Sequence, residues 1–162
     1  MLSVILKWCC MAFVRDAGEN QLTLWLHGEL PLTKAMGVEV AAWDGKKITV
    51  VAPLGPNLNH TETAFGGSIS SLGILAGWAL LSLMLKERGV SCRVLIQKSS
   101  TDFLRPIDTE ITATACLPEK EGEELVESVK KHRRGRLTVE SEVLSRKTVA
   151  AKHVGVYVVI AY

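Results

Sequence analysis

Residues 57–78 read NLNHTETAFGGSISSLGILAGW and place a polar loop directly before an apolar helix. The first N–H groups of a helix have no partner within it, and that end of the helix carries partial positive charge, so it can hold a carbonyl oxygen or an anion. The adjacent Gly66 and Gly67 allow a ligand to approach the backbone closely. The stretch therefore predicts a binding site for a carbonyl or anionic group at the start of the longest helix.

The helix itself, from about residue 67 to 88, is apolar on nearly all sides. A helix of this kind is enclosed by protein rather than lying on a surface. Residues 69–85 form an apolar run of 17 residues that includes serines, shorter than the roughly 20 needed to span a bilayer. The pattern therefore favours a buried central helix over a membrane span.

Strand patterns flank this helix on both sides. Before it, leucines at helical spacing within 19–33 predict a helix that is broken at Pro31 and followed by a further turn ending at Gly37. Strands at 38–43 and 47–54 are joined by the hairpin signal Asp44-Gly45. After it, alternation predicts four strands, and a charged segment between the second and third allows one short helix; the strands are at about 92–104, 110–117, 136–145 and 147–160. This order predicts an α+β fold in which an antiparallel sheet curls round one long helix.

Length and charge limit the possible classes of function. The 162 residues suit one domain, which we place at 19–162, with an N-terminal extension of unknown role at 1–18. Nineteen basic and 17 acidic residues leave a net charge of +2. Such a balance gives no overall field that would indicate nucleic-acid binding.

Cysteine and histidine positions argue against disulfides and metal. The four cysteines form no CxxC pair, which is typical of reduced thiols in a cytosolic protein; they are Cys9, Cys10, Cys92 and Cys116. The four histidines have no ligand spacing, so we expect no metal site; they are His27, His60, His132 and His153. Residues 2–14 are apolar but lack the basic region and cleavage site of a secretory leader, and a membrane-anchor role for them stays open.

Three segments together resemble the hot-dog fold of acyl-CoA thioesterases and dehydratases. They are HGELPLTKAMGVEV (27–40), NHTETAFGGSISSLGILAGW (59–78) and STDFLRPI (100–107). The closest resemblance is to a thioesterase group that is sometimes fused to an acetyltransferase domain, and it covers roughly residues 20–162. It implies an antiparallel curled sheet around a long central helix, with two sites at the interface of a homodimer; whether dimers pair into a tetramer stays open.

The resemblance also implies roles for residues of the loop and helix start. A backbone N–H of Gly67 or Ser68 polarises the thioester carbonyl, and Asn59 orients water or substrate. The catalytic candidates are Asn59, His60, Glu62 and Thr63, and the substrate-binding candidates are Phe65, Gly66, Gly67, Ser68, Ser71 and Arg105. Structural alternatives stay open for these residues: packing for the glycines, an exposed loop position for His60, a helix-end charge for Glu62 and a cap for Thr63. Arg105 would meet a CoA phosphate or pair with a surface acid, and we favour the acid.

One position departs from relatives of the phenylacetyl-CoA thioesterase type. Many of these carry an Asp or Glu two turns into the central helix, where this chain has Ile74. A base that activates water must therefore come from the loop, as Glu62 or His60, or from a neighbouring strand, as Asp102.

The resulting expectation is a cytoplasmic thioesterase that hydrolyses an acyl-CoA or acyl-carrier-protein thioester with water and needs no cofactor. A non-catalytic acyl-CoA-binding module is the alternative, and a hydratase is a second one. The basic run 130–136 would suit the CoA 3′-phosphate or an acidic carrier protein, and the acids of 121–127 offer a structural explanation for it. The sequence does not decide the acyl chain length or choose between CoA and a carrier protein.

Overall fold

The computed structural model describes residues 18–162, so the predictions for segments 1–18 and 2–14 and for Cys9 and Cys10 lie, apart from Gly18, outside the described residues. Within these described residues, four α-helices and six strands follow one another in the order α1, α2, β1, β2, α3, β3, β4, α4, β5, β6. The helices are α1 (Glu19–Glu29), α2 (Pro31–Ala35), α3 (Gly66–Glu87) and α4 (Glu119–His132). The strands are β1 (Glu39–Trp43), β2 (Lys47–Ala52), β3 (Cys92–Phe103), β4 (Ile111–Cys116), β5 (Arg134–Ser145) and β6 (Thr148–Ala161).

The six strands form one antiparallel sheet in the order β1-β2-β4-β5-β6-β3. β3 follows α3 in the chain and pairs with β6 at the end of the strand order, so it forms one edge of the sheet. The predicted alternation is confirmed on the inner face, where Ile48, Val50, Ala113 and Val139 are buried. This arrangement of a curled antiparallel sheet around one long helix is the hot-dog fold that the sequence predicts.

The central helix α3 lies against the inner face of the sheet, as its even apolar character predicts. Twelve of its 22 residues are buried, among them Leu72, Leu80 and Leu83. Two thirds of its most apolar window (67%) is enclosed by protein, although its length and hydropathy would also suit a membrane span. It is the core helix of this fold.

Close contact between α3 and the sheet depends on glycine. A Cβ at Gly77 would lie 2.4 Å from the Tyr157 hydroxyl oxygen, and real Cβ atoms essentially never come so close. Tyr157 uses the space to donate a hydrogen bond of 2.7 Å to the Ile74 carbonyl oxygen. Burial of this phenol raises its pKa. The sheet and the helix are therefore joined by one buried polar contact as well as by apolar packing.

The helix between β4 and β5 is longer than the short helix that the sequence predicts. α4 is 14 residues long, and β5 begins at Arg134, two residues earlier than expected. Leu125, Val126 and Val129 form its buried face, while its outward face carries the charges that dominate the sequence pattern. Because this helix buries only one narrow apolar face, most of its residues are charged, and a prediction based on charge alone takes the segment for a loop.

Candidate active site at the start of the central helix

The loop before α3 is held by the side chain of Asn59. Its Oδ1 accepts hydrogen bonds from the N–H groups of Thr61 (2.8 Å) and Thr63 (3.2 Å), and from the Thr61 hydroxyl (2.8 Å). Its Nδ2 donates to the Thr63 hydroxyl oxygen at 3.0 Å and to the Ala64 carbonyl oxygen at 3.4 Å. The predicted catalytic Asn59 and Thr63 are thus brought together, with the Asn59 amide engaged in shaping the loop.

The end of the loop is tied down at two points. The Ala64 N–H donates to the Ile107 carbonyl oxygen and the Phe65 N–H to the Asn57 carbonyl oxygen, both at 2.7 Å. Asn57 is itself buried, and its Nδ2 donates to the Met36 and Pro53 carbonyl oxygens. The position of the first residue of α3 is therefore fixed from both sides.

α3 begins without a capping side chain. Phe65 occupies the N-cap position, and no side chain bonds to the helix start. The Ile69 N–H donates to the Phe65 carbonyl oxygen, whereas the N–H groups of Gly66, Gly67 and Ser68 have no hydrogen-bond partner within residues 18–162. Three adjacent amide donors thus remain available at the positive end of the helix.

Aromatic rings enclose these donors. The Phe65 ring lies over Gly67, where a Cβ would come within 2.2 Å of it, and the Phe103 ring lies 3.6 Å from the Cβ position of Gly66. Phe65 and Phe103 remain 56% and 55% exposed, and Leu104 is 53% exposed. An apolar rim around free amide donors suits an acyl group whose carbonyl oxygen points at the helix.

The two remaining loop candidates, His60 and Glu62, are exposed. Glu62 has a backbone φ of 61°, in the left-handed region that favours glycine. Neither side chain forms a hydrogen bond or an ion pair with another described residue. Both are free to reach a ligand, and neither is held in a fixed orientation.

Arg105 follows β3 directly, on the segment that carries Phe103 to the helix start. Its N–H donates to the Ala150 carbonyl oxygen at 3.2 Å, and its guanidinium is exposed. No carboxylate of residues 18–162 forms an ion pair with it, whereas nearby Arg146 lies 3.8 Å from Asp108. The cation of Arg105 is therefore available for a phosphate near the site.

Ser71 lies one turn into α3 and is partly buried, like Ile74 and Trp78 further along the same stripe. Trp78 stacks on Trp25 at 5.5 Å between ring centroids and donates a hydrogen bond to the Val94 carbonyl oxygen. These partly buried side chains follow one face of α3 from its first turn to the contact of Trp78 with β3.

A buried polar pair near this stripe was not predicted from the sequence. His153 is fully buried on β6, and its Nδ1 lies 2.9 Å from the Thr101 hydroxyl oxygen on β3. Burial lowers the pKa of the imidazole. The two residues are 52 positions apart, so only the register of β3 on β6, which the sequence does not encode locally, brings them together.

A cavity of about 370 Å³ lies at the opposite end of α3, lined in part by Leu80, Met84 and Leu117. Its polar groups already bond to one another or to the fold: Lys46 pairs with Glu119 at 2.8 Å, and Glu87 accepts a hydrogen bond from the Trp43 indole. Within the described part of the chain, no group of three metal-ligating side chains occurs. The helix start remains the best candidate site.

Comparison with known proteins agrees with the fold. A family model described as "Putative thioesterase (yiiD_Cterm)" matches residues 19–161. A thioesterase described as putative from Shewanella oneidensis superposes with a TM-score of 0.79 at 22% identity, covering 88% of this chain and 96% of that one. A protein of unknown function from Chlorobaculum tepidum gives 0.82 at 23% identity, covering 89% and 94%. A thioesterase from Haemophilus influenzae gives 0.69 at 16% identity, covering 89% and 91%.

Proposed function

The chain belongs to the putative-thioesterase (yiiD_Cterm) family, and from that premise we propose that it hydrolyses an acyl-CoA or acyl-carrier-protein thioester. Water attacks the carbonyl carbon while the start of α3 polarises the carbonyl oxygen. The products are a carboxylic acid and a free thiol. The reaction needs no metal or other cofactor, because the developing charge is met by backbone N–H donors.

The observation that carries this proposal is the uncapped start of α3. Helices strongly prefer Ser, Thr, Asp or Asn at the N-cap, and loss of such a cap costs about 1 kcal/mol. Phe65 supplies no cap, and the amides of Gly66, Gly67 and Ser68 stay unpaired in a position fixed by two 2.7 Å hydrogen bonds. Preorganised donors of this kind stabilise an oxyanion by about 3–4 kcal/mol.

The surroundings supply places for the other parts of the substrate. The aromatic rim and the stripe through Ile74 and Trp78 suit the acyl chain. The exposed guanidinium of Arg105 suits a phosphate of the CoA or carrier-protein arm. For water activation the sequence suggests Glu62 or His60, which the loop leaves free in solvent.

The edge strand β3 supports a homodimer. It is 12 residues long, and one of its sides has no strand partner in the sheet. Exposed Leu95 and Ile96 lie in its middle, and long exposed apolar edges tend to pair with another chain. Pairing of two β3 strands would put both helix starts beside the interface. We place this dimer in the cytoplasm, in keeping with the reduced state expected of Cys92 and Cys116.

The test is thiol release from a panel of acyl-CoAs with short, long and aromatic acyl groups, using the full chain. We expect turnover of at least one class, and a lower rate in Asn59→Ala because the loop that positions α3 loosens. Glu62→Gln in parallel reports whether the loop carboxylate takes part. No thiol release, combined with a thermal shift on addition of acyl-CoA, would contradict hydrolysis and favour an acyl-CoA-binding module.

A further inference from the structure

Three polar side chains lie in register across three neighbouring strands. Thr101 of β3 is opposite His153 of β6, which in turn is opposite Ser141 of β5. Register partners in an antiparallel pair point to the same face of the sheet. His153 faces α3, because a Cβ added at Gly73 of this helix would lie only 2.7 Å from the Cβ of His153. All three side chains therefore point towards the central helix.

The middle member of this row has unused hydrogen-bonding capacity. His153 is fully buried, and its Nδ1 is bonded to the Thr101 hydroxyl at 2.9 Å. Its Nε2 and the Ser141 hydroxyl, which is also buried, have no hydrogen-bond partner among residues 18–162. Buried polar groups are normally paired, and exceptions deserve a functional explanation.

Thr101 connects this row to the candidate active site. It precedes Phe103 by two residues on the same face of β3, roughly 7 Å along the strand, and the Phe103 ring rests on Gly66 at the start of α3. Thr101 is half-buried, and its hydroxyl lies 2.9 Å from His153 Nδ1. The short distance along β3 from Thr101 to Phe103 brings this hydroxyl to the part of the strand that lies against the start of α3.

No charged group of the described chain shares this face with His153. From β3 and β5 its register neighbours are Thr101 and Ser141, and from α3 it is Gly73. The next ionisable group on its own strand is the phenol of Tyr157, and the flanking Asp102, Glu140, Glu142 and Lys152 alternate to the outer face. Desolvation alone therefore sets the imidazole's titration, and it lowers the pKa.

We propose that Thr101 and His153 form the proton-transfer pair that activates the attacking water. Water gives a proton to the Thr101 hydroxyl oxygen while the Thr101 proton passes to His153 Nδ1, and the water oxygen bonds to the thioester carbon. When the C–S bond breaks, the thiolate takes the proton back along the same path. One water is consumed, one thiol and one acid form, and both residues return to their starting state.

This inference rests on the proposed thioester hydrolysis, and it moves the base from the exposed loop to the inner face of the sheet. A general base acts best when it is held at hydrogen-bond distance from the proton that it takes up. His153 meets this condition, because its Nδ1 is held 2.9 Å from the Thr101 hydroxyl oxygen in a buried site. The side chains of Glu62 and His60 form no hydrogen bond or ion pair with a described residue that would hold them in place.

The test compares Thr101→Val, which replaces the hydroxyl by a methyl group of similar size, with Thr101→Ser, which keeps it. The matched control is Thr138→Val, the same change on β5 but on the exposed outer face. On the best acyl-CoA of the panel we expect Thr101→Val to lower kcat about 100-fold or more. We expect KM to change less than roughly threefold in that variant, while Thr101→Ser and Thr138→Val stay near wild type.

A pH profile separates proton transfer from a structural role. Wild-type kcat should rise with pH along a limb below pH 6.5, as His153 loses its proton, and the residual rate of Thr101→Val should lack that limb. If the wild type hydrolyses the substrate and Thr101→Val keeps full activity, or if Glu62→Gln alone loses activity, Thr101 and His153 are not the proton-transfer pair. The proposed function would still hold in either case. Thiol release from no substrate by the wild type would overturn both.

Discussion

Glu62 is held in a backbone conformation that its side chain does not favour. Its φ of 61° lies in the left-handed region, which costs a non-glycine residue of this kind on the order of 1 kcal/mol. Replacement by glycine removes the clash of Cβ with the carbonyl. We therefore expect Glu62→Gly to raise the free energy of unfolding by up to about 1 kcal/mol, and Glu62→Gln to leave it unchanged. Urea unfolding monitored by circular dichroism measures the difference, and a less stable Glu62→Gly would contradict the strain.

His153 makes stability depend on pH in a defined window. Its folded pKa is lower than its ordinary value of 6.5, because burial disfavours the charged form. Below pH 6.5 the unfolded chain therefore binds more protons than the folded one, and stability falls as the pH drops towards the folded pKa. We expect the urea midpoint to decrease from pH 7 to pH 5, with a flatter dependence in His153→Gln. Equal slopes in the two proteins would mean that folding does not lower the pKa of His153.

At the scale of single residues, the sequence predicts which side chains could carry the chemistry better than it predicts which side chains contact one another. It singles out the loop, the paired glycines and Arg105 because those residues are neighbours in the chain. It gives no sign that Thr101 reaches His153, since that contact depends on the register of β3 on β6, including the bulge between Ile96 and Lys98. It also cannot show that the Asn59 amide is engaged in five hydrogen bonds within its own loop.

The central helix is the element on which the site depends, and its glycines set its distance from the sheet. Ala at Gly77 would push against the Tyr157 hydroxyl and weaken its bond to Ile74. We expect Gly77→Ala to destabilise the protein by about 1–3 kcal/mol. Gly28 of α1 is the matched control, because a Cβ there meets nothing within 4 Å.

The control should change stability in the opposite direction. Ala is favoured over Gly inside a helix by about 0.8–1 kcal/mol, so Gly28→Ala should stabilise. Urea unfolding of the two variants in parallel separates close packing from helix propensity. If both variants gained stability, the close contact between α3 and β6 would be absent in solution.

The helices and strands with a strong apolar pattern were predicted well. The helix α4, whose apolar pattern is weak, was not. The extents of α3 and of the strands from β1 to β4 follow from apolar alternation or a continuous apolar run. α4 was underestimated because its three buried apolar side chains, Leu125, Val126 and Val129, are surrounded by charges in the sequence. Its acidic first turn and basic last turn also fit the helix dipole, which gives a structural reason for much of the charge in that segment.

At the scale of the whole molecule, β3 is the surface through which we expect two copies to join. Ile96→Glu puts a charge on this edge, where it would be buried in the pair at a cost of several kcal/mol. We expect the variant to sediment as a monomer and to lose activity if the site needs both copies. Ala41→Glu on β1, the other edge of the sheet, is the control and should leave the assembly unchanged.

Sedimentation velocity gives the assembly state directly. A dimer that persists in Ile96→Glu would place the interface elsewhere, and a monomeric wild type would remove the shared site from the account. The prediction of a dimer through β3 comes from the strand order: β3 follows α3 in the chain but lies at the edge of the sheet opposite β1. The sequence alone indicates the strand, and the strand order makes it an edge.

The central claim is that the free amides of α3 hold the thioester carbonyl. The most direct measurement is kcat/KM of Gly67→Pro against Gly67→Ala on the best acyl-CoA substrate. Both variants carry a Cβ that meets the exposed Phe65 ring, and only proline lacks the N–H. If this amide holds the carbonyl oxygen, kcat/KM of Gly67→Pro should fall about 100–1000-fold below that of Gly67→Ala. Equal activity of the two folded variants would contradict a role for this amide and move the carbonyl site away from it.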